Sequence, residues 1–299
     1  MPSGPIPFDE LFDPPFLASL KGLRIVARRV PRGGRPADQR SRDLGSGIEF
    51  RDFRAYVPGD DFRAIDWSLY RRLGKVFLRL FEELEDLPLY LMPDVSSSMF
   101  LESPPRAHAA LRATLALGAI SLAQHDRIGV YAFGETVVDP QRPKAGRGRV
   151  MQVARHLASL PPSGTTNLAH AVRDVARRGL RPGLLAIVSD FFDPAGLDEL
   201  RQELRTVRHR LLFVQLVRAT DSNPDLRGDV RLLDCETGGA ADVTITPALL
   251  DQYRAAYGRF EDELLAIARR SNAGLLRLDA DAPVAPQLAK LFGAGRYVA

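Results

Sequence analysis

The hydrophobic pattern changes character near residue 84. Before it, Phe16 to Val30 has the spacing of a short amphipathic helix, and Pro31 to Gly47, interrupted by Pro31, Gly33, Gly34 and Pro36, reads as a basic loop. Glu49–Tyr56 and Val76–Phe81 alternate enough to be strands. Between them Pro58-Gly59 is a good turn centre, because proline presets φ and glycine accepts a positive φ. After residue 84, short apolar runs alternate with helical spacing. Leu87–Met92, Ile128–Phe133, Leu184–Val188, Arg210–Val217, Val230–Leu233 and Leu275–Leu278 read as strands. Ser103-Pro104 reads as the N-cap and first position of a helix through Ala107–Leu122. Further helices are expected from Val150 to Leu160, over Asn167–Arg178 with Asn167 as cap, over Gly196–Thr206, from Leu249 to Ile267, and over Pro286–Phe292. Strands alternating with helices predict an α/β fold. It is a doubly wound, mostly parallel sheet covered on both faces, preceded by a small N-terminal helix-plus-β-hairpin extension. The expected division is 1–84 for the extension and 85–299 for the main domain.

Composition narrows the function classes. The 299 residues carry 41 Lys+Arg against 37 Asp+Glu, a net charge of +4. Only four of the basic residues are lysine, so the sequence pI of about 9.4 reflects arginine usage. The excess is local: between Lys21 and Arg42 eight basic residues face only Asp38, whereas residues 85–299 hold 26 basic and 25 acidic residues. That distribution makes nucleic acid an unfavoured partner and leaves 21–42 as a solvated face, or else a contact for an acidic partner, anionic lipid or RNA. Cys235 is the only cysteine, which excludes an internal disulfide and a cysteine metal site, and its expected state is a small, inert, partly buried thiol. His108, His125, His156, His170 and His209 lack the spacings of zinc motifs, and His170 is expected to be an ordinary helix residue. No apolar run approaches the roughly 18–20 residues of a membrane span. The acidic, proline-rich start is unlike a signal peptide, so the expected localisation is cytoplasmic.

In an open parallel sheet, ligands bind beyond the carboxyl ends of strands. The run Leu87–Met92 is followed by Asp94-Val95-Ser96-Ser97-Ser98-Met99, a later loop reads Ser163-Gly164-Thr165-Thr166-Asn167-Leu168, and Leu184–Val188 is followed by Ser189-Asp190. This offers two carboxylates and several hydroxyls at one edge, an all-oxygen set suited to a hard cation such as Mg²⁺ or Mn²⁺. Such a set leaves coordination positions for water or an incoming carboxylate. The plainer alternative is that Asp94 caps a following helix and the serines make turns.

Those three segments resemble the metal-ion-dependent adhesion site of von Willebrand factor A domains, over about residues 85–295. The upstream segment is more specific. Gly47-Ile48-Glu49-Phe50-Arg51-Asp52-Phe53-Arg54-Ala55-Tyr56-Val57-Pro58-Gly59-Asp60-Asp61-Phe62-Arg63-Ala64-Ile65-Asp66-Trp67 resembles the signature of the bacterial family catalogued as domain of unknown function number fifty-eight. Arg72-Leu73-Gly74-Lys75 and Arg79-Leu80-Phe81-Glu82-Glu83 continue it. The resemblance implies a von Willebrand A-like (Rossmann-like) fold and association with MoxR-type AAA+ ATPases. It also implies a metal site of Asp94, Ser96, Ser98, Thr166 and Asp190. Thr166 is preferred to Thr165 because Gly164-Thr165-Thr166-Asn167-Leu168 aligns with the family's Gly-Gly-Thr-Asp-Leu. Two residues depart from the pattern. Thr165 stiffens the loop, and Pro93, which cannot donate a ladder hydrogen bond, suggests a bulge beside Asp94.

The signature has its own two readings. Asp60, Asp61, Arg63 and Asp66 near Arg51, Arg54, Arg71 and Arg72 are either a structural salt-bridge network or, with Glu49, Pro58, Gly59 and Trp67, a partner surface. Trp67, the single tryptophan, is expected as a core anchor. The function expected from these elements is a non-enzymatic protein-interaction module. It would grip a partner carboxylate through Mg²⁺ or Mn²⁺ and work with a MoxR-type AAA+ ATPase on an unknown client protein. The alternatives are a metal-dependent phosphatase or hydrolase, and a binding domain with a degenerate metal site. Against an aspartyl-phosphate enzyme, Ser96 stands where the second acid would be, and no GxSxG, SxxK, Walker A or GxGxxG motif occurs.

Overall fold

The computed structural model describes residues 4–29, 48–57, 65, 67–83, 88–124, 126–236 and 238–293. The chain opens with α1 (Phe8–Leu11) and α2 (Pro14–Arg29), followed by β1 (Ile48–Ala55), α3 (Trp67–Leu73) and β2 (Phe77–Glu83). Then come β3 (Leu89–Pro93), α4 (Arg106–Ala123), β4 (Ile128–Phe133), β5 (Val137–Lys144), α5 (Val150–Ser159), α6 (Leu168–Arg177), β6 (Leu184–Ser189) and α7 (Leu197–Leu204). The last part holds β7 (Arg210–Val217), α8 (Ala219–Ser222), β8 (Gly228–Leu233), β9 (Ala240–Ile245), α9 (Pro247–Arg270), β10 (Gly274–Asp279) and α10 (Val284–Gly293).

Six strands form a sheet in the order β10-β7-β6-β3-β4-β5. All neighbours are parallel except β4 and β5, so the fold is α/β with a mostly parallel, mixed sheet. The strands read as continuous apolar runs because both faces are covered. Their side chains alternate between two cores. Leu89, Leu91, Ala186, Val188, Leu212 and Val214 join one, with α2, α4, α5 and α10; Tyr90, Met92, Leu185, Ile187, Leu211 and Phe213 join the other, with α6, α7 and α9. The chain leaves β3 toward β4 on one side and later returns through β6 on the other. The order therefore reverses at β3, the place where such sheets bind ligands.

The domain division differs from the expected one. One compact unit comprises Met1–Arg32 with Leu87–Ala299, and the other is Gly33–Asp86. The first helices belong to the main unit because Leu11, Phe12, Phe16, Leu20 and Leu23 are buried in its first core. Arg112 on α4 ties them down. Its guanidinium donates to the carbonyls of Leu11 (2.7 Å) and Glu10 (3.2 Å) and to Asp13 Oδ2 (2.5 Å), and it lies 5.0 Å over the Phe16 ring. Burial acts to raise the Asp13 carboxyl, but the Phe16 N–H and Arg112 outweigh it and hold the group below its ordinary range.

In the Gly33–Asp86 unit, β1 and β2 pair antiparallel, from Ile48↔Glu83 to Ala55↔Phe77. The register skips Arg51, which is the extra residue of a bulge. Between the strands lies α3, a helix the pattern did not announce. Trp67 at its start is 59% exposed and meets Tyr70 edge-on at 6.1 Å, so it is not the expected core anchor. Glu49 and Arg51 lie on β1. Pro58, Gly59, Asp60, Asp61, Arg63 and Asp66, and most of the basic stretch 21–42, lie outside the residues whose surroundings are described.

Two further expectations are corrected, and one strand is added. Helix α4 begins at Arg106 with Pro105 as its N-cap and no side-chain cap, so Ser103-Pro104 precedes the helix. Strand β5, at the sheet edge, went unread because Pro140 and Pro143 interrupt it, and prolines are tolerated at edges. The run Val230–Leu233 does not enter the main sheet. It pairs with β9 as a separate antiparallel hairpin, with Leu233 70% exposed.

Candidate metal centre

Asp94 follows β3 directly, and the ladder places it. Its N–H donates to Val188 O on β6 (2.9 Å), and the next N–H, of Val95, donates to Phe133 O on β4 (2.7 Å). Pro93 pairs with Val188 in regular register, so the expected bulge does not form. The missing N–H instead falls on the β4 side, where pairing lapses after Leu91 and resumes as the bridge Asp94↔Phe133. Asp94 is thus fixed between two neighbours, fully buried.

Its carboxylate is anchored at both oxygens. Oδ1 accepts from the Ser96 N–H (2.9 Å) and Oδ2 from Ser189 Oγ (2.6 Å). The turn that lets Asp94 bind the backbone two residues on also brings Ser96 Oγ within 3.0 Å of Ser98 Oγ. A 3-10 turn over Ser97–Phe100 follows, so Asp94 caps no α-helix. Asp190 follows β6. Its Oδ1 accepts from the Phe192 N–H (3.0 Å), and Arg106 lies 3.4 Å from Oδ2. Between them Phe191 holds φ at 65°, an uncommon conformation for a bulky side chain, with its buried ring 5.3 Å from Phe213.

The threonine loop is strapped to the same edge. Ser163 N–H donates to Val95 O (2.7 Å), Ser97 N–H to Gly164 O (2.9 Å), and Asn167 N–H to Gly134 O (3.1 Å). Gly134 permits this approach, since a Cβ there would lie 1.8 Å from Ser163 O. Thr165 costs the loop nothing visible, because the residue with positive φ is Gly164 (56°). Asn167 caps α6 as expected, accepting from the His170 N–H (2.8 Å). Asp193 Oδ2 accepts from the Leu168 N–H (2.7 Å), further fixing this helix start. Thr166 is buried beside it. His170 takes no part: its Nδ1 lies 2.9 Å from Glu135 O.

The electrostatics set this edge apart. Burial pushes Asp94 up to about 6 against the bonds from Ser189 and Ser96, with Glu236 adding repulsion. Burial, then the Asp94 charge, pushes Asp190 up to about 7 against the pull of Arg106. Two like charges are confined here with one guanidinium at the margin of one of them. Arg106 itself is shared: it forms bidentate pairs with Glu102 (3.1 and 3.1 Å) and Asp221 (3.1 and 2.8 Å). The donor set of two carboxylates and three hydroxyls fits a hard divalent cation, which would relieve the repulsion between the acids. Among the described residues no group of three or more His, Cys, Asp or Glu side chains is arranged to hold a metal ion, so any site here depends on its hydroxyls.

Sequence reasoning missed Glu236, Arg106 and Asp221. Glu236 lies in the turn between β8 and β9, and its carboxylate accepts from Thr166 twice, from N–H (3.1 Å) and from Oγ (2.8 Å). Next to it, Cys235 is exposed, not partly buried as expected. No helix among the described residues is long and apolar enough to cross a membrane.

The chain has relatives among known proteins. Uncharacterized proteins of Mycobacterium tuberculosis and Mycobacterium bovis are each 27% identical over 280 residues, covering 91% of this chain and 87% of theirs. An uncharacterized protein of Mycobacterium avium is 30% identical over 142 residues, 46% of this chain and 83% of its own. Among solved structures, a conserved hypothetical protein BatB from Bacteroides thetaiotaomicron matches with a TM-score of 0.39 at 13% identity, covering 69% of this chain and 98% of its own. An aerotolerance-related membrane protein from Bacteroides fragilis matches with a TM-score of 0.42 at 14% identity, covering 70% and 99%. The family described as Protein of unknown function DUF58 matches residues 52–263, most of the chain, and the protein belongs to that family.

Proposed function

We propose that this protein is a non-enzymatic binding module of von Willebrand factor A-like type. In this reading Asp94, Ser96, Ser98, Thr166 and Asp190 hold Mg²⁺ or Mn²⁺ as a metal-ion-dependent adhesion site, and a partner's Asp or Glu supplies a further oxygen. The partner is a MoxR-type AAA+ ATPase or a client handled with it, in assembly or remodelling of protein complexes. The observation that carries the reading is the pair of buried carboxylates, Asp94 and Asp190, at adjacent strand ends, where the described residues supply Asp190 with Arg106 and Asp94 with no cation of its own. When bound, the cation would supply a strongly electrophilic centre, because most of its protein donors are neutral hydroxyls. The chain's own residues do the positioning. Ser189 and the Ser96 N–H fix both oxygens of Asp94, and the Gly134 contact fixes the Thr166 loop. With Ser96 two residues after Asp94, the site lacks the second acid of an aspartyl-phosphate enzyme.

Two measurements test this. In calorimetric titration, wild-type protein should bind Mn²⁺ and Asp94→Asn should not. A purified MoxR-type ATPase should be retained by wild-type protein with Mg²⁺ and released by EDTA. Equal retention with Mg²⁺, with EDTA and on Asp94→Asn would sink the metal bridge.

A further inference from the structure

At the β5 edge of the sheet, β4 and β5 pair irregularly. Val130 faces Gln141, Ala132 faces Val138 and Ile128 faces Lys144, so on each side of the central pair two residues of β5 oppose one of β4. Bulges of this kind re-aim side chains and are over-represented beside functional sites. In the first, Asp139 takes φ to 38°, a left-handed conformation that aspartate tolerates better than most residues. Its Oδ2 lies 3.4 Å from Nδ1 of His156 on α5. Arg142 stands in the second.

Between β4, β5 and α5 lies a cavity of about 110 Å³. Ile128 and Val130 give it an apolar wall, and Arg142 lines it from β5. Arg149, Gln152 and His156 line it from the other side, at i, i+3 and i+7 and so on one helical face. Arg142 and Arg149 have no acid partner among the described residues. Nε2 of His156 is buried and has no hydrogen-bond partner among them either. Burial pulls this imidazole below its ordinary range despite the Asp139 charge, so the ring is neutral near pH 7. A neutral ring with Nδ1 against a carboxylate carries its proton there, which leaves Nε2 a bare acceptor.

A buried acceptor left unmet is costly, so Nε2 calls for a donor. The two guanidinium groups call for an anion. A metal cation answers neither arginine, and a carboxylate or sulfate at neutral pH has no proton for Nε2. Inorganic hydrogen phosphate answers both, since it carries anionic oxygens and an O–H on one small centre. We propose that this cavity is a binding site for inorganic phosphate, in which Arg142 and Arg149 hold the charged oxygens and the phosphate O–H donates to His156 Nε2. A phosphate monoester is mostly a dianion above pH 7 and has lost that O–H, so the site selects the free ion.

The test is calorimetric titration of the full-length chain at pH 7.5 with sodium phosphate, sodium sulfate and a nucleoside 5′-monophosphate. Wild-type protein should bind phosphate in preference to the other two. Arg149→Gln and Arg142→Gln, on the rim of the cavity, should each weaken phosphate binding about tenfold or more. His156→Leu should bring phosphate and sulfate to similar, weak affinities, because the acceptor that tells them apart is gone. Thermal melts check that each variant folds, and the two arginine variants keep the test open if His156→Leu does not. In nitrogen NMR of the wild-type imidazole, phosphate should move the Nε2 resonance of His156 away from its bare-acceptor position. Wild-type protein that takes up no phosphate overturns the proposal and leaves the cavity to water. Phosphate affinity unchanged by both arginine variants overturns it, and so does sulfate or the monoester binding as tightly as phosphate.

Discussion

Arg106 serves three acids at once, Glu102, Asp190 and Asp221, and shares Glu102 with Arg218. Burial acts against its charge, but the bonds to Glu102 and Asp221 outweigh that and raise its pKa. Removing it strands Asp190 and Asp221, each about 10% exposed. Arg106→Ala should therefore lower stability by about 3–5 kcal/mol in urea denaturation. Arg106→Lys should recover only part of this, since an ammonium cannot make two bidentate pairs. At this scale the sequence was legible only where partners are close along the chain. Asp94, Ser96 and Ser98 could be read together because one turn joins them. Arg106 and Asp221 are 115 residues apart, and Thr166 and Glu236 are 70 apart. Nothing local marks either pair. Cys235 was misjudged for the same reason, because its exposure depends on a hairpin leaving the sheet.

Among the elements, the loop of Thr166 depends on one close approach. At Gly134 any side chain meets Ser163 O. Gly134→Ala should displace that loop, weakening Mn²⁺ binding about tenfold or more by the same titration while Asp94 keeps its own ladder bonds. Unchanged binding would mean that Thr166 is not a ligand. The buried parallel strands were easy to read, because cover on both faces leaves runs such as Leu89–Met92 with no polar position. The elements that escaped are those without that constraint. Strand β5 is an edge with two prolines, β9 is mostly exposed, α1 is a single turn, and α3 presents Trp67 and Leu73 to solvent. A pattern method sees burial, and these elements bury little.

Over the whole molecule, the raised acids couple folding to pH. Unfolded aspartate titrates at about 4, while burial, with the charge of Asp94 acting on Asp190, pushes the folded pair up to about 6 and about 7. Between those limits the folded state holds more protons than the unfolded one, so the contribution of this pair to stability falls as pH rises and is fully lost above about 7. A cation reverses the penalty only where both acids are ionised. The melting-temperature gain from Mg²⁺ should thus be larger at pH 7.5 than at pH 5 by calorimetry, and Asp190→Asn should flatten that difference. A gain independent of pH would contradict a cation bound at these carboxylates.

The unit Gly33–Asp86 is an insertion, entered and left from the same body. Along the chain it ends just before β3, the strand that Asp94 follows. β3 is clamped between the parallel strands β6 and β4, so a load applied along β3 shears its ladder bonds together and does not peel them one by one. Whatever is held at Asp94 therefore pulls against the sheet of its own unit as a whole.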